Sequence, residues 1–322
     1  MNPKLTTMGG IDMQTILGSG GVIGNGLARE LRAFADRIRL VARNPRPVSE
    51  SDEAFPADLT DPEATTAAVA GSEVVYLVAG LSYNAKIWER TWPVIMENVI
   101  AACREAEARL VFFDNVYLYG RVEGVMTEET PANPSSAKGR VRARIAGDLT
   151  KAMARGEVNG LIARAADFYG PGAVNTFVHP MVFEKLRDGK KAAWLVNDTV
   201  PHSMTYTPDA CRATAVLGNT PEAFGTVWHL PTHPDPPTGR QFIEAVAAEF
   251  GAKPRWQVLK PWMLRMAGLF DFRVRESMEL LYQNRYPYRF DSSRFEQRFF
   301  AATPYKEGIR ETVRWMRKDE CT

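Results

Sequence analysis

Two kinds of apolar pattern alternate along the first half of this chain. Met13 to Leu17, Ile38 to Ala42 and Glu73 to Gly80 are short, near-continuous apolar runs. After the first of them, Ile23, Leu27, Leu31 and Phe34 recur at intervals of three or four. Short runs bounded by glycine predict buried strands, and the wider spacing predicts amphipathic helices. A third strand is expected to end near Ala57, and Pro62 opens an alanine-rich helix, as proline does at a first turn. A long helix is predicted from about Trp88 to Ala106, with Pro93 inside it, and then a strand from Arg109 to Asp114. Val141, Ile145, Leu149 and Met153 place a helix over Lys138 to Met153. "NGLIARAADFYGPG", Asn159 to Gly172, reads as one more strand running into a glycine–proline loop. Strands alternating with helices imply parallel pairing with helices on both faces. The predicted class is α/β, a Rossmann-type doubly wound parallel sheet.

The second half is less regular. Phe177 to Leu186 reads as helix, and Thr226 to Leu230 and Trp256 to Leu259 as strands. Thr238 is placed to cap a helix from Gly239 to Phe250. Glu276 to Tyr282 is expected in another helix, and Ile309, Val313 and Met316 form one face of a last one. These pieces predict a smaller C-terminal α+β substrate lobe.

Composition narrows the function classes. The chain has 322 residues and a net charge of +2, so no broad electrostatic footprint for nucleic acid is expected. No apolar run is long enough to span a membrane, and "MNPKLTTMGGIDM" lacks the apolar core of a signal peptide. Cys103, Cys211 and Cys321 lie far apart and read as reduced thiols of a cytoplasmic protein. His179, His202, His229 and His233 show no metal-ligand spacing, so no metal is expected and all four read as structural or solvated.

Gly18, Gly20, Gly21 and Gly24 separate the first strand from the first helix, which Val22 and Ile23 begin. Glycine there permits positive φ and a close backbone approach, and the helix N-terminus offers free N–H groups to a pyrophosphate. A dinucleotide is the expected ligand of these six residues. NAD sites place an acid at the end of the second strand to hold the ribose diol. Here that strand runs "RLVARNPRP", and Arg43 stands nineteen positions past Gly24. An arginine suits a 2′-phosphate, so NADP is expected, with NAD the alternative. The implied organisation is an extension at 1–12, a nucleotide-binding domain at 13–172 and a mainly substrate-binding lobe at 173–322. The segment 203–217 is expected to return to the main sheet.

"GSGGVIG" resembles the glycine loop of extended short-chain dehydrogenases/reductases, the NAD-dependent epimerase/dehydratase group. The resemblance extends to "ADLTD", "LVAGL", "RAADFYGPG" and the C-terminal "TPYKEGIRETVRWM". It implies that Asp58 and Leu59 meet the adenine. It also implies that Val78, Ala79 and Gly80 lie along the cofactor, with Ala165 and Ala166 beside the nicotinamide. Members that oxidise or reduce a carbon–oxygen bond use a Ser or Thr, a Tyr, and a Lys four residues beyond the Tyr; the Lys eases proton exchange at the Tyr hydroxyl. Aligning Tyr119–Gly120 with the family's Y-G puts Asn115 at the Ser/Thr position. Lys138 then falls at the tyrosine and Arg142 at the lysine, in "NPSSAKGRVRARIA".

Three readings follow. Lys138 is the proton donor, with Arg142 on the cofactor and Asn115 on the substrate; or Tyr117 or Tyr119 supplies the acid; or the protein binds NADP without chemistry. Against the first stands a solvated basic helix face, since Arg140 and Arg144 flank these residues. Candidate residues around a small-molecule substrate are Ser82, Tyr83, Asn84, Asn115, Tyr117, Tyr169 and Asn175, with Arg273 or Arg275 available for a diphosphate. The leading expectation is an NADP-dependent oxidoreductase acting on a small carbonyl or hydroxyl compound. The alternatives are a nucleotide-sugar epimerase or dehydratase and a non-catalytic NADP sensor. Relatives pair through two sheet-flanking helices, so a homodimer through Trp88–Ala106 and Lys138–Met153 is a further expectation.

Overall fold

The computed structural model describes residues 13–319, so the N-terminal extension and Cys321 lie outside the described residues. The first half follows the expected alternation: β1 (Met13–Leu17), α1 (Val22–Leu31), β2 (Arg37–Ala42), β3 (Glu53–Pro56), α2 (Pro62–Val69), β4 (Val74–Leu77), α3 (Ala85–Glu105) and β5 (Arg109–Asn115). Then come β6 (Val125–Met126), α4 (Ala137–Ala154), β7 (Gly160–Ala165) and β8 (Asp167–Tyr169). The second half contributes α5 (Glu184–Arg187), β9 (Ala192–Leu195), β10 (Met204–Tyr206), α6 (Thr207–Gly218) and β11 (Val227–His229). It ends with α7 (Gly239–Phe250), β12 (Trp256–Leu259), α8 (Pro261–Ala267), α9 (Phe272–Ser277), α10 (Tyr282–Arg285), β13 (Arg289–Phe290), α11 (Ser293–Glu296) and α12 (Tyr305–Asp319).

Seven parallel strands form one sheet in the order β11-β7-β5-β4-β1-β2-β3. Strand order reverses between β1 and β4, and ligands of such sheets sit beyond the carboxyl ends at that point. Alternate side chains of the central strands serve two cores. Leu17, Val75, Leu77 and Phe112 pack with Trp92, Met96, Val99, Ile145 and Leu149 of α3 and α4 on one face. Ile16, Val74, Tyr76 and Val111 pack with Leu27, Leu31, Ala213 and Leu217 of α1 and α6 on the other. A third core, with Phe183, Trp194, Phe242, Ile309, Val313 and Met316, holds the smaller lobe together. Thr238 caps α7 in a reciprocal box with Gln241, as its sequence position predicts.

Three details differ from the sequence expectation. The segment 203–217 gives a short β10 that pairs with β8 in a separate two-stranded sheet, and only its helix α6 packs on the main sheet. The strand that joins the main sheet is β11, beside β7. Glu276 to Tyr282 is not one helix; α9 starts earlier because Asp271 accepts from the Arg273 and Val274 amides, and a 3₁₀ turn at Met278–Leu280 separates it from α10.

Candidate active site

The glycine loop lies at the switch point. Gly18 and Ser19 amides donate to the Val41 carbonyl at 2.9 and 3.0 Å, tying the loop to β2. Gly18 has φ +93°, and a Cβ there would stand 2.2 Å from the Ala79 Cα beyond β4. Gly20, at φ +97°, and Gly21 face open space, with nothing within 4 Å of an added Cβ. No side chain caps α1 and its first turn holds no acid. Ser19 Oγ is buried without a hydrogen-bond partner among the described residues. Unpaired N–H groups, a helix N-terminus and an open cradle are what a pyrophosphate requires. Arg43 is exposed just past β2. Hydrogen bonds from the Thr60 amide (3.0 Å) and hydroxyl (2.8 Å), and to a lesser extent the charge of Arg43, hold Asp58 below the usual carboxylate range.

Behind the end of β5 lies a buried charged network. Arg142 Nε donates to Asp114 Oδ1 at 2.7 Å, and its Nη2 donates to the Phe113 carbonyl at 3.2 Å. Arg164 Nε donates to Asp114 Oδ2 at 3.0 Å, and Arg164 Nη1 to the Tyr119 hydroxyl at 2.7 Å. Tyr119 donates to His229 Nε2 at 2.7 Å, and His229 Nδ1–H donates to the Asp291 carbonyl at 2.7 Å. That tautomer follows from the network, because each group then has one consistent role. Burial pushes the His229 pKa down to about 3. The unfolded chain therefore binds a proton near pH 6.5 that the native chain refuses. The stability this neutral imidazole contributes is full above about pH 6.5 and is lost as pH falls towards 3, by about 4 kcal/mol in all. Urea titrations from about pH 7 to 4 should show a steeper loss for the native chain than for His229→Gln; parallel curves would refute a buried neutral His229.

Lys138 and Arg142 are not a solvated basic face. Lys138 is fully buried, and Arg142 is 3% exposed. The Lys138 ammonium donates to Glu276 Oε2 (2.8 Å), the Glu276 carbonyl (2.8 Å) and Glu279 Oε1 (3.0 Å). All three of its N–H donors are spent, so it presents none to a cleft. Glu276 also accepts from the Ala85 amide, and Glu279 from the Ala137 amide. These bonds tie α9 and the turn after it to the starts of α3 and α4.

Between these elements the partly exposed residues are Tyr83, Asn115, Tyr117, Asp167 and Tyr282. Asn115 Oδ1 accepts from the Tyr117 amide at 3.1 Å and fixes that turn. Tyr117 stacks on Trp88, with centroids 6.4 Å apart, and its hydroxyl is 3.4 Å from that of Tyr83. Burial, then Tyr83 and Asp167, push the Tyr117 phenol well above its usual range, so it stays protonated. Asp167 Oδ2 meets His202 Nε2 at 2.8 Å, and His202 stacks on Tyr288 at 4.6 Å. The Tyr282 hydroxyl and His202 Nδ1 are buried without partners among the described residues.

A sequence model of the NAD dependent epimerase/dehydratase family matches residues 15–228, two-thirds of the chain. The chain belongs to the NAD-dependent epimerase/dehydratase family. A curated relative, a 3-diazoavenalumate denitrifying reductase from a Streptomyces species, is 25% identical over 277 residues, spanning 79% of this chain and 87% of the relative. The dTDP-glucose 4,6-dehydratase of Streptomyces venezuelae, solved with NAD, superposes with a TM-score of 0.77 at 17% identity, covering 96% of this chain and 98% of that one. The NAD complex of Thermus thermophilus UDP-glucose 4-epimerase gives 0.76 at 17% identity, covering 95% and 99%. The neighbours show the Rossmann fold for this chain, and both of those solved structures hold NAD.

The fold brings the glycine loop, Val78–Gly80 and Arg43 to one end of the sheet, and Asn115, Tyr117, Ala165 and Ala166 to the strand ends beside it. It does not bring Tyr169 to the cleft. That ring is 1% exposed and packs among Tyr206, Phe242 and Tyr305. Asn175 is exposed, and Asn84 is committed to capping α3 through the Ile87 amide. Arg273 and Arg275 are exposed on α9. Asp167, Glu276, Glu279 and Tyr282 carry no site signal in the sequence, where His202 reads only as structural or solvated. Asp167 lies inside "RAADFYGPG", but its partner His202 is 35 residues away.

Proposed function

We propose that this family member is an NADP-dependent oxidoreductase that reduces a small carbonyl or comparable unsaturated compound. The observation that carries the reading is the fate of the two helical positions on α4. Both side chains are committed to carboxylates within the protein, so no tyrosine–lysine pair is present to ionise. Reversible oxidation of a sugar hydroxyl, as an epimerase requires, needs a base that takes up a proton. Reduction needs a proton donor at the acceptor atom, and a phenol held protonated can donate a proton although it cannot serve as the base. The reductase named among the relatives accords with this direction.

When bound, NADPH would supply the hydride. Gly20, Gly21 and the α1 N-terminus hold its pyrophosphate, Arg43 its 2′-phosphate, and Val78–Gly80 and Ala165–Ala166 flank the nicotinamide side. The Tyr117 hydroxyl donates to the substrate acceptor atom, and solvent refills that proton through Tyr83. Asn115 orients Tyr117. Lys138 positions α9 over the cleft, and Arg142 braces the end of β5. Fluorescence titration tests the cofactor assignment. NADPH should bind more tightly than NADH, and Arg43→Ala should erase about 1.5–3 kcal/mol, roughly 10- to 150-fold, for NADPH alone. Equal affinities unchanged in the variant would remove NADP from the reading. Tyr117→Phe should abolish most NADPH consumption while leaving NADPH affinity intact.

A further inference from the structure

We propose that the substrate is a phosphate-free aromatic compound bearing a cationic or hydrogen-donating nitrogen, with the nitrogen on Asp167 and the ring among Tyr83, Tyr117 and Tyr282. The proposal rests on the oxidoreductase reading for the location of the cleft, and it concerns the substrate class alone.

Charge is the first argument. The acidic groups around the cleft are Asp167, Glu276 and Glu279. Lys138 is the cation that both glutamates bond, while Arg121 and Arg289 stand exposed on the outer side of Tyr282 and Tyr288. Arg142 and Arg164 are turned to Asp114 behind β5. Arg273 and Arg275 stand exposed on the outside of α9. A nucleoside diphosphate would bring its negative charge to a carboxylate-rich opening, where like charges repel strongly in a recessed site.

The second argument is the supply of unsatisfied groups. Asp167 uses Oδ2 for His202, and no hydrogen bond engages its Oδ1 among the described residues. His202 is itself held by stacking on Tyr288 and by the edges of Trp194 and Phe177, so the carboxylate is fixed in direction. Beside it the Tyr282 hydroxyl is buried with no partner among the described residues. A buried hydroxyl without a partner is costly unless a ligand completes it. Thirdly, the walls are aromatic. Tyr83 and Tyr117 pack on Trp88 at 5.8 and 6.4 Å, which gives ring faces and edges rather than amides or arginines. Aromatic walls around one oriented carboxylate form a receptor for an aromatic cation.

Saturation-transfer NMR and calorimetry with the full chain read this directly, using tyramine, p-cresol and UDP-glucose as probes. Tyramine should bind at least about tenfold more tightly than p-cresol, and Asp167→Asn should remove that difference. Tyr282→Phe, which deletes one hydroxyl without touching the fold, should weaken tyramine a few-fold. UDP-glucose should not compete. Absence of tyramine binding at millimolar concentration, tyramine no tighter than p-cresol, or competition by UDP-glucose each overturns the proposal. NADPH fluorescence on the same samples separates the two readings: lost cofactor binding sinks the oxidoreductase assignment, whereas tyramine binding without cofactor is judged on its own.

Discussion

Asp114→Asn should lower stability by about 3–5 kcal/mol, the cost of leaving buried charges without their counterion. Asp114 has no exposed side-chain surface, and it is the carboxylate that both Arg142 and Arg164 bond. The two arginine side chains are each 4% exposed. Asparagine offers one weak acceptor in place of two charged oxygens. Its amide nitrogen would point a donor at one of the arginines. The loss also propagates, because Arg164 holds the Tyr119 hydroxyl that serves His229. For a chain of this size the change corresponds to a fall of about 5–8 °C in Tm by scanning calorimetry. Glu123→Gln, which breaks an ion pair whose partners are 47% and 84% exposed, should change it by no more than about 0.5 kcal/mol. Comparable shifts in the two variants would show that the Asp114 network is solvated and not a buried brace.

The contrast between Asp114 and Glu123 also marks where sequence reading stops. Strand and helix positions in the first half were legible because burial on two faces writes continuous apolar runs, and amphipathic helices write a three-to-four spacing. β1 and the capped helix α7 begin and end where those patterns say. The glycine loop was legible for a local reason: its conformation is demanded by a few adjacent residues. The cleft was not. Asp167 and His202 meet through β8, β10 and the turn before β10, and Lys138 meets Glu276 across 138 residues. Contacts of that range leave no periodic trace. Lys138 illustrates the difficulty most clearly. On a helix flanked by Arg140 and Arg144 it reads as either a surface charge or a catalytic one. The structure gives it a third role, a buried tie between α4 and the segment of α9 and the turn after it.

Two substitutions in the glycine loop should separate folding from cofactor binding. Gly18 and Gly20 share a positive φ, +93° and +97°, but differ in what surrounds them. An alanine at either position costs about 1–2 kcal/mol for the left-handed backbone alone. At Gly18 the new methyl would also meet Ala79, with its Cα 2.2 Å away and its amide nitrogen 2.5 Å away. Those are backbone atoms of the segment after β4, so either the loop or that segment must shift. Overpacking of this kind adds about 1–3 kcal/mol. Gly18→Ala should therefore lose both Tm and NADPH affinity. At Gly20 the methyl meets nothing, so Gly20→Ala should lose only the backbone contribution, about 1–2 kcal/mol. The methyl would occupy the space before the α1 N-terminus, where the pyrophosphate oxygens approach the free amides. Losing even one such charge-assisted bond costs about 1.5–3 kcal/mol, at least about tenfold in NADPH affinity by fluorescence titration. A Gly20→Ala protein that binds NADPH normally would show that the dinucleotide does not use this loop. The open cradle would then be a turn with no ligand, and the Arg43 assignment would fail with it.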